Sequence, residues 1–175
     1  STLRTEPSDH YDVAVIGAGP AGLFCAIHAS AQDARVLLIE KNDHPGKKLL
    51  LSGTGQCNIT HNGEIRDFLS HYGDHGKQIK PALLGFSNSD LIRFFSQRGL
   101  SMIAEDNGKI FPQTRRAADV LAVLMRECRE RGVILECGNA VVRVSRIPEG
   151  FQIDTMARTY RSGILVITTA RESSP

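Results

Sequence analysis

Three glycines, one carboxylate and one glycine-flanked polar loop are the residues whose types and spacing point to chemistry. "GAGPAG" places Gly17, Gly19 and Gly22 in the G-x-G-x-x-G spacing, with Ala18, Pro20 and Ala21 between them. In that spacing the first glycine permits a tight turn, the second lets the backbone approach a pyrophosphate, and the third lets a helix pack close to a strand. The helix N-terminus then turns free N–H groups toward the anion. Glu40 stands 18 residues after Gly22, close to the ~20 expected for a carboxylate that accepts ribose hydroxyls. Lys41, next to it, belongs to the same candidate set. The pattern reads as a dinucleotide site without distinguishing NAD from FAD. The polar loop is "KKLLLSGTGQCNIT", Lys47 to Thr60, in which Gly53 and Gly55 flank Thr54. A loop that leaves a strand just after the ribose carboxylate starts beside the cofactor, where exposed backbone amides can form an anion-accepting concavity. Ser52, Gly53, Thr54, Gly55 and Asn58 are its candidates. Lys47 and Lys48 add positive charge there, or are two solvated lysines, with equal weight.

The elements that must position these residues are legible from periodicity. "YDVAVIG" and "RVLLIE" are short apolar runs of the kind buried on both faces of a parallel sheet, and "PAGLFCAIHASAQ" between them is a small-residue helix. Residues 11 to 40 therefore form one βαβ unit. "SDLIRFFSQRG" reads as a helix capped by Asn88 or Ser89 and stopped by Gly99, and "LSMIAEDNGKIFP" as a hairpin turning at Asn107-Gly108. The segment after Thr114, taken as an N-cap, is an amphipathic helix with Ala118, Leu121, Leu124, Met125 and Cys128 on one stripe, ending at Gly132. "VILEC" is a further buried strand. "AVVRVSRI", "FQIDTM" and "TYRSG" suggest an antiparallel meander, before "ILVITT" returns as a last apolar strand. The expected fold is α/β, Rossmann-like, one domain over residues 1–175 with an inserted α+β segment at about 61–113.

Composition narrows the function. With 175 residues and 41% hydrophobic content the chain can build its own core. Cys25, Cys57, Cys128 and Cys137 form no Cys-x-x-Cys pair, which with the polar N-terminus leads to an expectation of a cytoplasmic protein without structural zinc. A net charge of +2 with scattered Lys and Arg does not indicate a nucleic-acid partner. No apolar run approaches the ~20 residues of a spanning helix, so no membrane is expected. Cys57 has no partner cysteine or activating histidine at a diagnostic spacing and reads as packing. His71 and His75 are four apart, but Gly73 between them favours a loop over a metal site. Arg115 and Arg116 read as solvent-facing.

The same residues carry a family resemblance. "GKKLLLSGTGQCNITH" resembles the "GKK-lls-GGGRCN-x-T" segment of the NAD(P)/FAD-dependent, aminoacetone-oxidase-like flavoproteins, and "GKIFPQTRRAADVLAVL" is similar to their "G-r-x-FP" block followed by a helix. The resemblance covers nearly the whole chain. It implies FAD, with NADH or NADPH as electron donor, in a fold of the glutathione-reductase type. It also implies that Gly17 to Gly22 meet the pyrophosphate, Glu40 the adenosine ribose, and Lys48 and Gly53 to Asn58 the flavin side. Val141 or Val142 would bond the adenine edge through its backbone. The chain departs from the family at Thr54, where a glycine is usual, at Gln56, where an arginine is usual, and at Ala170 and Arg171, where two glycines end the last strand. The expected function is an FAD-binding oxidoreductase acting on a small-molecule substrate. Two alternatives remain: a partial dinucleotide-binding unit that needs a partner chain or a missing C-terminal portion to be active, and a tRNA-modifying flavoprotein. No catalytic side chain is assigned.

Overall fold

A computed structural model of the chain describes residues 9–31, 33–46, 88–106 and 110–168. The first βαβ unit consists of β1 (His10–Ile16), α1 (Pro20–Ser30) and β2 (Val36–Ile39). β1 and β2 pair in parallel with Val13 opposite Val36 and Ile16 opposite Ile39. All four β2 residues are buried, as expected of a strand covered on both faces. There follow α2 (Asn88–Ser96), a hairpin of β3 (Met102–Ala104) and β4 (Ile110–Pro112), α3 (Ala117–Glu130), β5 (Ile134–Glu136), β6 (Val141–Ile147), β7 (Gly150–Thr155) and β8 (Thr159–Ile167). Among the described residues the main sheet has the order β5-β2-β1-β8-β7-β6, and β3-β4 stand apart. This is a Rossmann-like fold. The hairpin turn read at Asn107-Gly108 lies outside the described residues, as do His71, Gly73 and His75.

That order cannot be flat. β5 and β6 lie at opposite ends of it, five strand spacings apart, which is ~24 Å at ~4.8 Å each, whereas the chain from Glu136 to Val141 reaches at most ~18 Å. The meander β6-β7-β8 must therefore fold back over the sheet. The apolar clusters agree: Val13, Val15, Val36 and Leu38 pack with the helices on one face, and Leu37 and Ile39 share the other cluster with Ile153 of β7 and Tyr160 of β8.

Five sequence readings need correction. "TYRSG" and "ILVITT" are one strand, not two: β8 pairs antiparallel to β7 over Thr159 to Ser162 and parallel to β1 as far as Ile167. "VILEC" is an edge strand with Ile134 exposed, because nothing among the described residues pairs beyond it. α3 is capped at Arg116 without a side-chain bond, and Thr114 instead accepts the Arg116 N–H at 3.3 Å. The buried stripe of α3 is Ala117, Val120, Val123, Leu124, Glu127 and Cys128, while Ala118 faces solvent. The stripe was misplaced because a glutamate sits on the buried face. Helix α2 covers Asn88–Ser96, so Ser89 lies inside it rather than capping it, and beyond Ser96 the chain closes through Gly99 with the Leu100 N–H bonded to Phe95 C=O at 2.9 Å, a Schellman closure.

Glu127 is tolerated there because two guanidinium groups meet it. Arg98 Nε lies 2.7 Å from Oε1 and Arg131 Nε 3.1 Å from Oε2. The Arg98 Nε–H is not directed along its contact, so charge carries that pairing. Burial alone would raise the Glu127 carboxyl, but the two arginines outweigh it and hold it below the ordinary carboxylate range. Arg98 also lies 3.8 Å over the Phe94 ring, and Phe94 meets Phe24 of α1 edge-on at 5.2 Å. His28, whose Nδ1 donates to Phe24 C=O at 2.8 Å, completes this helix junction.

The junction predicts a pH dependence. Burial, opposed by the bond to Phe24 and reinforced by Arg131 and Arg98, lowers the His28 imidazole below its ordinary value of 6.5. The unfolded chain therefore takes up the proton first, so stability is full above about 6.5 and falls as pH drops through the interval below it. Urea midpoints measured from pH 7.5 to 5 should decline for the parent chain and stay flatter in His28→Gln. Parallel profiles would remove His28 as the cause.

Candidate functional site

The site forms where β1, β2 and β8 end. The Gly17 N–H donates to Ile39 C=O at 2.8 Å, and Gly17 turns the chain at φ 104°, a conformation that side chains resist. Gly19 differs: its φ of −77° and ψ of −177° suit any residue, and a Cβ there would meet nothing within 4 Å. What Gly19 provides is space. A Cβ on Gly22 would overlap the Gly17 carbonyl oxygen and stand 2.7 Å from Thr168 Oγ1, so Gly22 provides close packing of α1 on the strand ends.

Helix α1 begins at Pro20, has no side-chain cap and no acid in its first turn, and makes its first helical bond from Leu23 N–H to Gly19 C=O at 3.0 Å. The amides of Ala21 and Gly22 precede that bond and have no helical acceptor. They face the space in front of Gly19 with the positive end of the helix dipole behind them. Such an arrangement is able to receive an anion.

Glu40 is buried at the end of β2. Its Oε2 accepts the Ala18 N–H at 2.7 Å, and its Oε1 accepts the Asn42 N–H at 3.2 Å and Asn42 Nδ2 at 3.0 Å. A carboxylate offers about four lone-pair sites, so this one is held in place with acceptor capacity remaining. Lys41 is exposed beside it. The Asn139 N–H donates to Glu40 C=O at 3.0 Å and Gly138 N–H to Asn42 C=O at 2.7 Å, which draws the link before β6 against the end of β2. Val141 thus begins two residues from a bond to Glu40. Pairing of β6 with β7 skips Val142: Val141 lies opposite Thr155 and Arg143 opposite Asp154. A bulge of this kind leaves one residue outside the ladder, and Val142 is also 60% exposed.

Asn42 and Asn139 escaped the sequence reading. Asn139 is buried, and its side chain accepts the Ala157 N–H at 3.3 Å and reaches Tyr160 Oη at 3.5 Å. It clips the link to the turn between β7 and β8. The signal available was an asparagine in a short interstrand link, "CGNAVV", where such residues bond nearby backbone. Of the remaining expectations, Lys47, Lys48, Ser52, Gly53, Thr54, Gly55, Gln56, Cys57 and Asn58 lie outside the described residues. Gly46 donates its N–H to Ala18 C=O at 2.7 Å and so lies beside the glycine turn.

Thiol chemistry finds no support among the described cysteines. Burial pushes Cys25 up to about 12 and Cys128 to about 11, and Cys137 is raised by burial and by Glu40, Glu136 and Asp43. Reactive thiols need the opposite shift. Among the described residues no His, Cys, Asp or Glu cluster could hold a metal ion, and no helix is long and apolar enough to cross a membrane.

The chain is similar to known proteins. The chain is 32% identical over 168 residues to a ribosomal RNA dihydrouridine synthase of Escherichia coli, an alignment that covers 95% of this chain and 41% of that protein. It is 28% identical over 164 residues to a 3-dehydro-bile acid delta(4,6)-reductase of Clostridium scindens, covering 93% of this chain and 39% of the relative. The chain thus spans about two-fifths of the length of these curated relatives. Among solved structures it is similar to the 3-ketosteroid-delta4-(5alpha)-dehydrogenase of Rhodococcus jostii. The TM-score is 0.56 and the identity 16%, with 94% of this chain and 47% of that one covered. The family described as HI0933-like protein Rossmann domain matches residues 11–175, and on that match, with the glycine turn, the buried Glu40 and the folded-back meander in place, the chain belongs to this family.

Proposed function

We propose that this chain is the FAD-binding portion of a flavin-dependent oxidoreductase. The observation that carries the reading is the open space at Gly19 in front of the unpaired α1 amides, set beside a buried carboxylate that is held with acceptor capacity to spare. The residues fit a dinucleotide. The amides of Gly19, Ala21 and Gly22 receive the pyrophosphate, with Gly17, Ala18 and Pro20 shaping the turn, and Glu40 accepts the hydroxyls of the adenosine ribose. Lys41 lies at the rim. The backbone of Val141 or of the bulged Val142 meets the adenine edge. Lys48, Ser52, Gly53, Thr54, Gly55 and Asn58 are assigned to the flavin side on the resemblance alone. When bound, the flavin supplies two-electron chemistry, and NADH or NADPH is the donor this reading carries. The chain's own part is to bind and orient.

For the substrate, the names of the two relatives support addition of hydrogen across a carbon–carbon double bond, since one makes dihydrouridine and the other reduces delta(4,6) unsaturation. The first name also favours an RNA-modifying second reading, for ribosomal rather than transfer RNA. A small-molecule substrate is the first reading, because the net charge of +2 provides little attraction to a phosphate backbone.

The test is the visible spectrum after FAD is added and excess removed. Retained flavin bands are expected, and a colourless protein that also ignores ADP in calorimetry overturns the reading. Glu40→Gln should weaken ADP and FAD alike by ~1–3 kcal/mol, the scale of a charge-assisted hydrogen bond. Equal affinity in parent and variant would take Glu40 out of the site.

A further inference from the structure

One peptide group in the glycine turn is held at both ends. The Gly17–Ala18 peptide donates its N–H to Glu40 Oε2 at 2.7 Å, and its carbonyl oxygen accepts from Thr168 Oγ1 at 2.8 Å. The Thr168 hydroxyl also lies 3.0 Å from Ile16 C=O, but that carbonyl already accepts the Thr168 N–H at 2.8 Å. A hydroxyl has one hydrogen to donate, and the unserved, nearer Gly17 carbonyl is its better acceptor. Thr168 directly follows β8, so its place is fixed by the pairing of Ile167 with Ile16. Its hydroxyl fills the notch that Gly22 leaves, 2.7 Å from where a Cβ would stand.

We propose that Thr168 is a positioning residue for dinucleotide binding, in which its hydroxyl and the Glu40 carboxylate fix the Gly17–Ala18 peptide plane between them and so set both the pyrophosphate turn and the ribose carboxylate. This rests on the dinucleotide reading above. The direction of a peptide plane decides where the next amides point, and Gly19, Ala21 and Gly22 follow directly. Bonds in series through a polarisable peptide also strengthen one another. Without the hydroxyl, the Gly17 carbonyl loses its partner at a part-buried position and the plane is free to rotate. The Ala18 N–H then swings from Glu40, and the carboxylate loses one of the three donors that aim it. Thr168 therefore acts on the ligand through two groups it does not itself present.

The experiment uses the full chain with ADP as probe. Thr168→Val keeps the volume and removes the hydroxyl, and Thr168→Ser keeps the hydroxyl. ADP affinity by calorimetry should fall about five- to tenfold in T168V, the scale of one neutral hydrogen bond, and return to within about twofold of the parent in T168S. In the ligand-free protein the Ala18 amide proton, observed by ¹⁵N–¹H correlation, should move upfield in T168V and hold its place in T168S. A purely structural threonine would lower stability without moving that signal. T168V with parental affinity, T168S as weak as T168V, or an Ala18 signal unmoved beside a weakened affinity would each overturn the proposal. If T168V does not fold, Thr168→Ala carries the same comparison with less crowding. A parent chain that takes up no ADP defeats the dinucleotide reading itself, an outcome distinct from parent and T168V binding equally.

Discussion

Replacing Gly19 with Val is expected to abolish ADP and FAD binding in a protein that remains folded. At φ −77° and ψ −177° the backbone accepts a β-branched residue, and a Cβ would meet nothing within 4 Å. No core contact is lost and no clash is made. The new side chain instead fills the space that the α1 amides face. Each charge-assisted bond to a phosphate oxygen is worth ~1.5–3 kcal/mol, so loss of two of them lowers affinity by ~100-fold or more at 1.4 kcal/mol per decade. The expected result is no detectable heat with ADP, together with an unaltered circular dichroism spectrum and melting temperature. Parental binding by a folded Gly19→Val protein would place the anion elsewhere.

Gly22 should behave in the opposite way, although it belongs to the same motif. Even the single methyl of Gly22→Ala would overlap the Gly17 carbonyl oxygen and press on Thr168 Oγ1 at 2.7 Å and the Gly17 carbonyl carbon at 2.9 Å. Two of these three atoms are backbone. The turn cannot yield by rotating a side chain, so α1 must shift off the strand ends where Leu23, Ile27 and Cys25 are packed. Overpacking a core costs ~1–3 kcal/mol and more where backbone must move. We expect ~3 kcal/mol or more for Gly22→Ala, seen as a fall of roughly 10 °C in Tm at ~2–4 °C per kcal/mol for a domain of this size, and failure to fold for Gly22→Val. An unchanged Tm in Gly22→Ala would show that the close approach of helix and turn is not needed.

The two outcomes separate what the motif shares from what it does not. Spacing alone puts Gly17, Gly19 and Gly22 together, and the tertiary structure shows why each is glycine: φ 104° at the first, open space at the second, a carbonyl in van der Waals overlap at the third. The buried stripe of α3 shows where local reasoning misses. Hydrophobic periodicity rejects Glu127 as a core position, yet Arg98 and Arg131, reaching it from 29 and 4 residues away, make burial tolerable. A buried charge is rejected only when it is unpaired; the i,i+4 partner Arg131 is legible in the sequence, whereas the pairing with Arg98 from outside the helix leaves no mark in the local pattern.

By itself the sequence determined the first βαβ unit, its glycine turn, the glutamate at the end of β2, the closing glycines of α2 and α3, and the strand runs of the meander. All of these rest on signals within a few residues of one another: period-2 or period-3.6 burial, turn chemistry and helix ends. Only the tertiary structure decided that β8 is one strand shared between parallel and antiparallel partners, that the meander folds back, and that Asn139 and Val141 consequently stand beside Glu40. The same holds for the peptide held between Glu40 and Thr168, whose partners are 22 and 151 residues from the groups they bond. Such contacts are set by chain length against strand spacing and by which buried carbonyl lacks a donor. Those quantities exist only once the strands have paired.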